Sequence, residues 1–310
     1  MRRCAINRLS LTGLTRPVLL STLLAALAAP LAGCSTGPRW PAVTDTPVAG
    51  QALPGRWLWA ELVTDDVERA RRFYGAVFGW QFRGLGQAPR RYTLISADGV
   101  PVGGMLQRPA SDDQPRVARW VGMLSVADVG QAAAAAKAAG GQVVVEPRRL
   151  RGRGTAALLS DPEGARFAVL RSAVGDPPDE LPAVGHWFWH ELWAGDGDAM
   201  AAFYAVIAGY DVERVAHEDD VDEWHLRAAD APRAGIVAFD GAGGAPGWLH
   251  YVRVADLAAA MARAEAADGS VVLAPTPAVR DGRIGIVADP LGARIGLVEW
   301  PDAKMPEAVQ

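Results

Sequence analysis

The segment Trp57-Leu-Trp-Ala-Glu-Leu62 returns at an offset of 130 residues as Trp187-Phe-Trp-His-Glu-Leu192. Phe73-Tyr74 and Gly79-Trp80 answer Phe203-Tyr204 and Gly209-Tyr210 at the same offset. Val126-Ala-Asp128 answers Val254-Ala-Asp256, and Asp161-Pro-Glu-Gly-Ala-Arg166 answers Asp289-Pro-Leu-Gly-Ala-Arg294, at an offset of 128. Chance does not hold such a register, so the chain carries two copies of one domain. They span 57–172 and 187–300, with a linker at 173–186 and a tail at 301–310.

Each copy reads as strand, helix and three strands, twice. Residues 57–63 form an apolar strand, and Asp65 or Asp66 caps a helix with its stripe at Val67, Ala70, Phe73, Tyr74 and Val77. Gly79 closes that helix. Strands follow near 91–96 and 100–106, where Gly103-Gly104 permits a bend or bulge. A strand at 119–126, a helix at 129–138 opened by Asp128, and strands near 142–146, 155–160 and 165–171 complete the copy.

The N-terminus reads as an address. Residues 1–17 carry Arg2, Arg3, Arg8 and Arg16 with no acid, and Val18 to Gly33 is almost wholly apolar or small. That stretch is short for a membrane span and has the layout of a secretory signal at 1–33. It ends in Leu31-Ala-Gly-Cys34, which resembles the lipobox of bacterial lipoproteins. The resemblance implies cleavage before Cys34 and a lipid on that cysteine. With Ser35 after it, it also implies the outer membrane of the cell envelope, facing the periplasm. Residues 34–56, with Pro38, Pro41, Pro47 and Pro54, suit an extended tether. Removal of 1–33 leaves 27 Lys and Arg against 35 Asp and Glu, a net charge of −8, which excludes a polycation for nucleic acid. The other cysteine, Cys4, falls in the discarded segment, so the folded part has no disulfide and no thiolate nucleophile.

The repeated pattern resembles the vicinal oxygen chelate superfamily, which includes glyoxalase I, extradiol dioxygenases and bleomycin-resistance proteins. The residues that carry it are Glu61 to Asp66 and Glu191 to Asp196, the Phe-Tyr of the first helix, and Asp-Pro-x-Gly-Ala-Arg before the last strand. It covers roughly 57–300. The resemblance implies an α+β fold of two tandem domains. Each would contain two βαβββ modules curling a mixed sheet into a cup, with helices outside and a ligand or metal inside. The two fused copies would then pair as subunits of simpler relatives do, making a monomer sufficient.

Metal-binding relatives place their first ligand seven residues before the Asp that opens the helix. Here that position is Trp59 or Trp189. The second position falls on Val121 or Leu249 and the third on Ala168 or Gly296. None is a metal ligand, so no metal and no other cofactor is expected. His190, His250 and Glu299 form an alternative set in the second copy, of the two-His-one-carboxylate type used by non-haem iron enzymes. Strand alternation places both histidines on the helix side and Glu299 out of phase. The acidic loop 217–223 lacks a calcium-loop pattern, and Gly241-Ala-Gly-Gly-Ala245 suits a hairpin better than a phosphate cradle.

If Trp59 faces the cup, Trp57 and Glu61 do too, as do Trp187, Trp189, Glu191 and Trp193. Arg166 and Arg294 share that face on the last strands, and Tyr251 and Arg253 on a middle strand. Aromatic walls with one acid and at least one arginine suit a flat organic ligand with polar handles. The candidate ligand-binding set is therefore Trp59, Glu61, Arg166, Trp189, Glu191, Tyr251, Arg253 and Arg294. Glu61 and Glu191 are the repeated candidates for acid–base work, and no residue stands out as catalytic. Three functions remain open: a lipid-anchored small-molecule binder without metal, a second-domain metal-dependent lyase or extradiol-type dioxygenase, and a structural lipoprotein whose cups are filled cores with Glu–Arg pairs.

Overall fold

The computed structural model describes residues 39–48, 50–86, 92–108, 118–215, 222–238, 246–277 and 279–301. The signal segment, Cys34, the first tether residues, most of the acidic loop, the 241–245 glycine run and residues 302–310 lie outside the described residues.

The first domain runs β1 (Trp57–Thr64), α1 (Val67–Phe78), β2 (Gln81–Leu85), β3 (Tyr92–Ala97), β4 (Val100–Gln107), then β5 (Ala118–Ser125), α2 (Val129–Ala138), β6 (Gln142–Leu150), β7 (Gly154–Ser160) and β8 (Arg166–Ser172). The second repeats it as β9 (Trp187–Ala194), α3 (Gly197–Ala208), β10 (Asp211–Val215), β11 (Glu223–Ala228), β12 (Ala231–Ala238), β13 (Gly247–Val254), α4 (Leu257–Ala266), β14 (Ser270–Leu273), β15 (Ile284–Ala288) and β16 (Arg294–Glu299). Each sheet has eight strands, ordered β2-β3-β4-β1-β5-β8-β7-β6 and β10-β11-β12-β9-β13-β16-β15-β14. Both are mixed: β1–β4 and β5–β8 pair parallel, β1–β5 antiparallel. The α+β class and the twice-repeated modules of each copy are thus observed.

Local chemistry sets the helix ends. Asp66, Asp128, Asp196 and Asp256 stand at the four N-termini, each accepting from the backbone N–H three residues on at 2.7–3.0 Å. Gly79 and Gly209 end α1 and α3 with φ of 70°, a left-handed turn that glycine adopts without a Cβ clash.

The helix-bearing faces of the two sheets share their cores. One apolar cluster joins Phe73, Tyr74 and Trp120 of the first domain to Val252, Ala260 and Ile295 of the second. The other joins Leu159 and Phe167 to Met200, Phe203 and Trp224. The repeat motifs act across this boundary. Trp120 Nε1 donates to Tyr74 Oη at 2.9 Å, and Tyr74 donates to Asp289 at 3.1 Å. Trp248 donates to Tyr204 at 2.7 Å and Tyr204 to Asp161 at 3.0 Å. The Tyr of Phe-Tyr in one domain therefore grips the Asp of Asp-Pro-x-Gly in the other.

One expectation needs correction. Strand register shifts between Trp57 and Trp59, and between the partners of Trp187 and Trp189. These bulges send Trp57 and Trp187 into the helix-side clusters and put Leu58 and Phe188 on the cup side. The β3–β4 irregularity lies beside Gly103: Ile95 pairs with Gly103 and Ser96 with Pro101, which leaves Val102 as the extra residue on β4. Gly104 is needed because a Cβ there would lie 1.8 Å from Tyr92 Oη and 2.5 Å from Glu61 Oε2.

Candidate functional site

Behind each β1-type strand the sheet face away from the helices holds a polar cluster inside an apolar ring. In the first domain Trp59, Val121, Met123, Ala168 and Leu170 form the ring. Glu61 Oε1 accepts from Trp59 Nε1 at 3.0 Å, from Tyr92 Oη at 2.9 Å, and from the Arg153 guanidinium. Burial first, and Glu61 beside it second, push the Tyr92 hydroxyl up, so it stays protonated and donates. Arg153 is wholly buried and lies 4.8 Å over the Trp59 ring and 5.4 Å from the Trp40 ring.

The chain itself closes this cup. Arg153 Nε donates to Pro41 O at 2.9 Å, Trp40 meets Tyr92 edge-on at 5.1 Å, and Val43 is buried in the same cluster. Where the sequence reads an extended tether, residues 40–43 are a plug. Further along, Val48 and Leu53 bond to Asp176 of the linker at 2.8 and 2.6 Å.

The second cup keeps the ring but changes the polar residues. Trp189, Leu249, Tyr251, Ile284, Ile286 and Val298 surround Glu191. Glu191 Oε1 accepts from Trp193 Nε1 at 2.8 Å and Tyr251 Oη at 3.2 Å, with Arg280 at 3.7 Å. Gly104 opposite Glu61 and Gly235 opposite Glu191 fix the equivalence of the two sheets. That register puts Glu223 where the first cup has Tyr92, and His225 where it has Leu94. Glu223 takes Arg280 at 2.6 Å and His225 Nε2 at 3.0 Å. A carboxylate only accepts, so His225 Nε2 carries the proton.

One guanidinium thus faces two buried carboxyls. Burial raises Glu191, with Arg280 pulling the other way. Burial also works against Glu223, but hydrogen bonds from His225 and Arg280 hold it down at about 2. Glu223 is the charged partner, and Glu191 is the carboxyl closer to accepting a proton. A narrow crevice with room for roughly one water opens between Trp189, Glu191, Tyr251 and Arg280. Arg280 comes from a short 3₁₀ turn in which it and Asp281 both have positive φ, 49° and 55°. Non-glycine residues hold that backbone only when neighbours compensate.

The candidate residues chosen from sequence therefore divide. Trp59 and Glu61 meet in one cup, and Trp189, Glu191 and Tyr251 in the other. Arg166 is exposed beside Arg119, so the Glu–Arg pair of the filled-core alternative is not made by Arg166; the cation on Glu61 is Arg153. Arg294 lies 5.8 Å from the Trp193 ring, while the cation against Glu191 is Arg280. Arg253 is spent on the backbone, donating to Trp300 O at 2.7 Å and Pro182 O at 2.9 Å. Sequence reasoning missed Arg153, Arg280, Glu223 and His225. The two arginines share a signal, since both lie on the hairpin entering the penultimate strand of their domain, one position out of register.

Alternation correctly places His190 and His250 on the helix side. They pair across β9 and β13 with their Nδ1 atoms 2.8 Å apart, and Trp57 stacks on His190 at 5.2 Å. Burial presses His250 down to about 3, and burial with the second imidazole presses His190 well below its ordinary value. Glu299 does not join them. It accepts from Leu257 N at 2.8 Å at the start of α4. Among the described residues no three His, Cys, Asp or Glu side chains gather as a metal site, and Trp189, Leu249 and Gly296 offer none at the ligand positions the resemblance implies.

A family model described as Glyoxalase/Bleomycin resistance protein/Dioxygenase superfamily matches residues 56–169 and 184–297. The anthracycline biosynthesis protein DauV of Streptomyces sp. (strain C5) is 30% identical over 81% of this chain and 95% of its own length. An Mn(II)-bound glyoxalase from Novosphingobium aromaticivorans aligns with a TM-score of 0.55 at 17% identity, over 80% of this chain and 83% of that one. A variant of homoprotocatechuate 2,3-dioxygenase from B. fuscum aligns at 0.56 and 15% identity, over 82% and 73%. At that identity the two solved structures show the fold alone. With both copies matched, this chain belongs to the glyoxalase/bleomycin resistance/dioxygenase superfamily as a tandem two-domain member.

Proposed function

We propose that the protein binds a small planar organic molecule in the second cup, without a metal, while lipid on Cys34 holds it at the cell envelope. The observation that carries this reading is the difference between equivalent cups. Trp40 and Val43 plug the first, around one Glu–Arg pair. The second has two acids, a histidine and one arginine beneath a crevice. Stability does not require such a cluster, because buried charges are costly unless fully paired. A ligand's anionic or carbonyl oxygen would take the Arg280 guanidinium, its ring would stack on Trp189, and Glu191 would hydrogen-bond a hydroxyl. The crevice is too narrow for a ring as it stands, so entry requires the Arg280 turn to swing out. The relative named for anthracycline biosynthesis supports a fused aromatic ring system as the ligand class. The filled-core reading fits the first cup.

Titration of the full-length protein with anthraquinone-2-carboxylate and alizarin, read by tryptophan quenching, tests the proposal. Saturable quenching lost at least tenfold in affinity in Arg280→Ala and Glu191→Gln supports it. Undiminished binding in both variants, or no binding of any fused-ring acid, overturns it. Metal content is the second measurement. About one equivalent of iron, manganese, nickel or zinc, lost in His190→Ala or His250→Ala, would move the reading to a second-domain metalloenzyme.

A further inference from the structure

We propose that an arginine-bearing edge of the first domain, Arg39 with Arg148, Arg149 and Arg151, is a docking surface for the anionic phospholipid headgroups of the membrane that holds Cys34. The inference rests on the lipid-anchor reading above and adds the face that the domain turns to that membrane.

Covalent reach supplies the first reason. Arg39 stands five residues after Cys34, and five extended residues span at most about 18 Å. The described chain therefore begins close to any lipid on that cysteine. It begins on the basic edge: Trp40 N donates to Arg151 O at 2.8 Å, and a Cβ on Gly152 would lie 3.0 Å from Arg39 Cγ. The plug thus ties the anchor's exit point to the end of β6.

The state of the arginines supplies the second. All four are exposed, and none has an ion pair among the described residues. Arg56, Arg108, Arg153, Arg214, Arg233 and Arg280 are paired with acids, and the other exposed arginines without an ion pair among the described residues include Arg72 and Arg83, and Arg119 beside Arg166, none of them on this edge. Glu146 and Asp45 are exposed nearby in sequence, leaving the edge net positive on a mature chain of net charge −8.

The repeat supplies a control. β6 is the last strand of its sheet, and unpaired edges are commonly guarded by charge. β14 is the equivalent edge of the second sheet, yet positions 148, 149 and 151 answer to Thr276, Pro277 and Val279. Edge protection would apply to both copies, whereas the arginines occur only on the copy next to the anchor. Juxtamembrane arginines gain from anionic lipid within a Debye length, and a basic patch acts as the second signal beside an acyl chain. With the anchor supplying residence on the membrane, the patch sets orientation.

The test uses the full-length protein extracted in detergent, with intact mass reporting acylation of Cys34. It is reconstituted into phosphatidylethanolamine vesicles with or without phosphatidylglycerol, and hydrogen exchange is read for residues 142–151. Exchange there should slow at least threefold only with phosphatidylglycerol, while residues 270–273 stay unchanged. High salt or the triple Arg148→Gln, Arg149→Gln, Arg151→Gln variant should abolish the slowing, and arginine-to-lysine replacements should keep it. Equal slowing on both vesicles, persistence in the glutamine variant, or the same protection from inorganic phosphate in detergent overturns the proposal. If mass shows Cys34 unmodified, the anchor reading falls separately. The patch must then carry the chain to anionic vesicles in flotation, and failure to float overturns it as well.

Discussion

In the first cup Glu61 Oε1 takes three donors while Oε2 is buried with no partner among the described residues. Arg153 is the only cation on Glu61 among the described residues, so Arg153→Met leaves an uncompensated buried carboxylate. Such a loss costs about 3–5 kcal/mol, and urea unfolding should show it. Adding Glu61→Gln should recover most of the loss, and a double-mutant cycle with no coupling would sink the assignment. The His190–His250 pair sets a pH dependence. Both imidazoles are buried neutral with folded pKa values pressed below the unfolded value of about 6.5. The unfolded chain therefore binds more protons below that pH. Their contribution is complete above pH ~6.5 and is lost as pH falls toward the folded value of about 3 for His250. The urea midpoint should drop between pH 7 and 5, less steeply in His250→Gln; equal slopes would remove the pair as the cause.

The four helices share one starting device, an aspartate bonded to the backbone three residues on. Asp66→Ala and Asp128→Ala should each cost about 1 kcal/mol by chemical denaturation. Asp196 has an extra tie, since Glu163 of the first domain accepts from the N–H of Gly195 and Asp196 at 2.8 and 2.7 Å. Among the described residues the plug at 40–43 has no counterpart in the second domain. The stretch 34–56 around it reads as a linker because its four prolines disfavour helix and sheet, and the docking of Trp40 and Val43 leaves no periodic trace.

The two domains do not have separate helix-side cores, because each apolar cluster draws on both. Calorimetry should therefore show one transition; two resolved transitions would contradict the shared core. Tyr74→Phe and Tyr204→Phe each remove a donor from a buried aspartate that keeps its backbone bonds. Each should cost about 1–3 kcal/mol, and because the relays share no residue the double variant should add within roughly 0.5 kcal/mol.

The amino-acid sequence by itself determined the repeat, the strand-helix-three-strand plan of each module, the aspartate caps and the strand faces of Trp59, Glu61, His190 and Glu191, although it did not locate β2 at Gln81–Leu85. Those follow from periods of 2 and 3.6 and from capping chemistry, which act over a few residues. Only the tertiary structure decided who meets whom. Arg153 reaches Glu61 across 92 positions and Tyr74 reaches Asp289 across 215, distances no local pattern spans. Bulges at Leu58 and Phe188 turned two tryptophans away from the cups because an inserted residue reverses alternation. The closing of one cup by Trp40 and the placing of Arg280 against Glu223 and His225 of β11 in the other depend on segments outside the strands, whose positions are set by what they pack against.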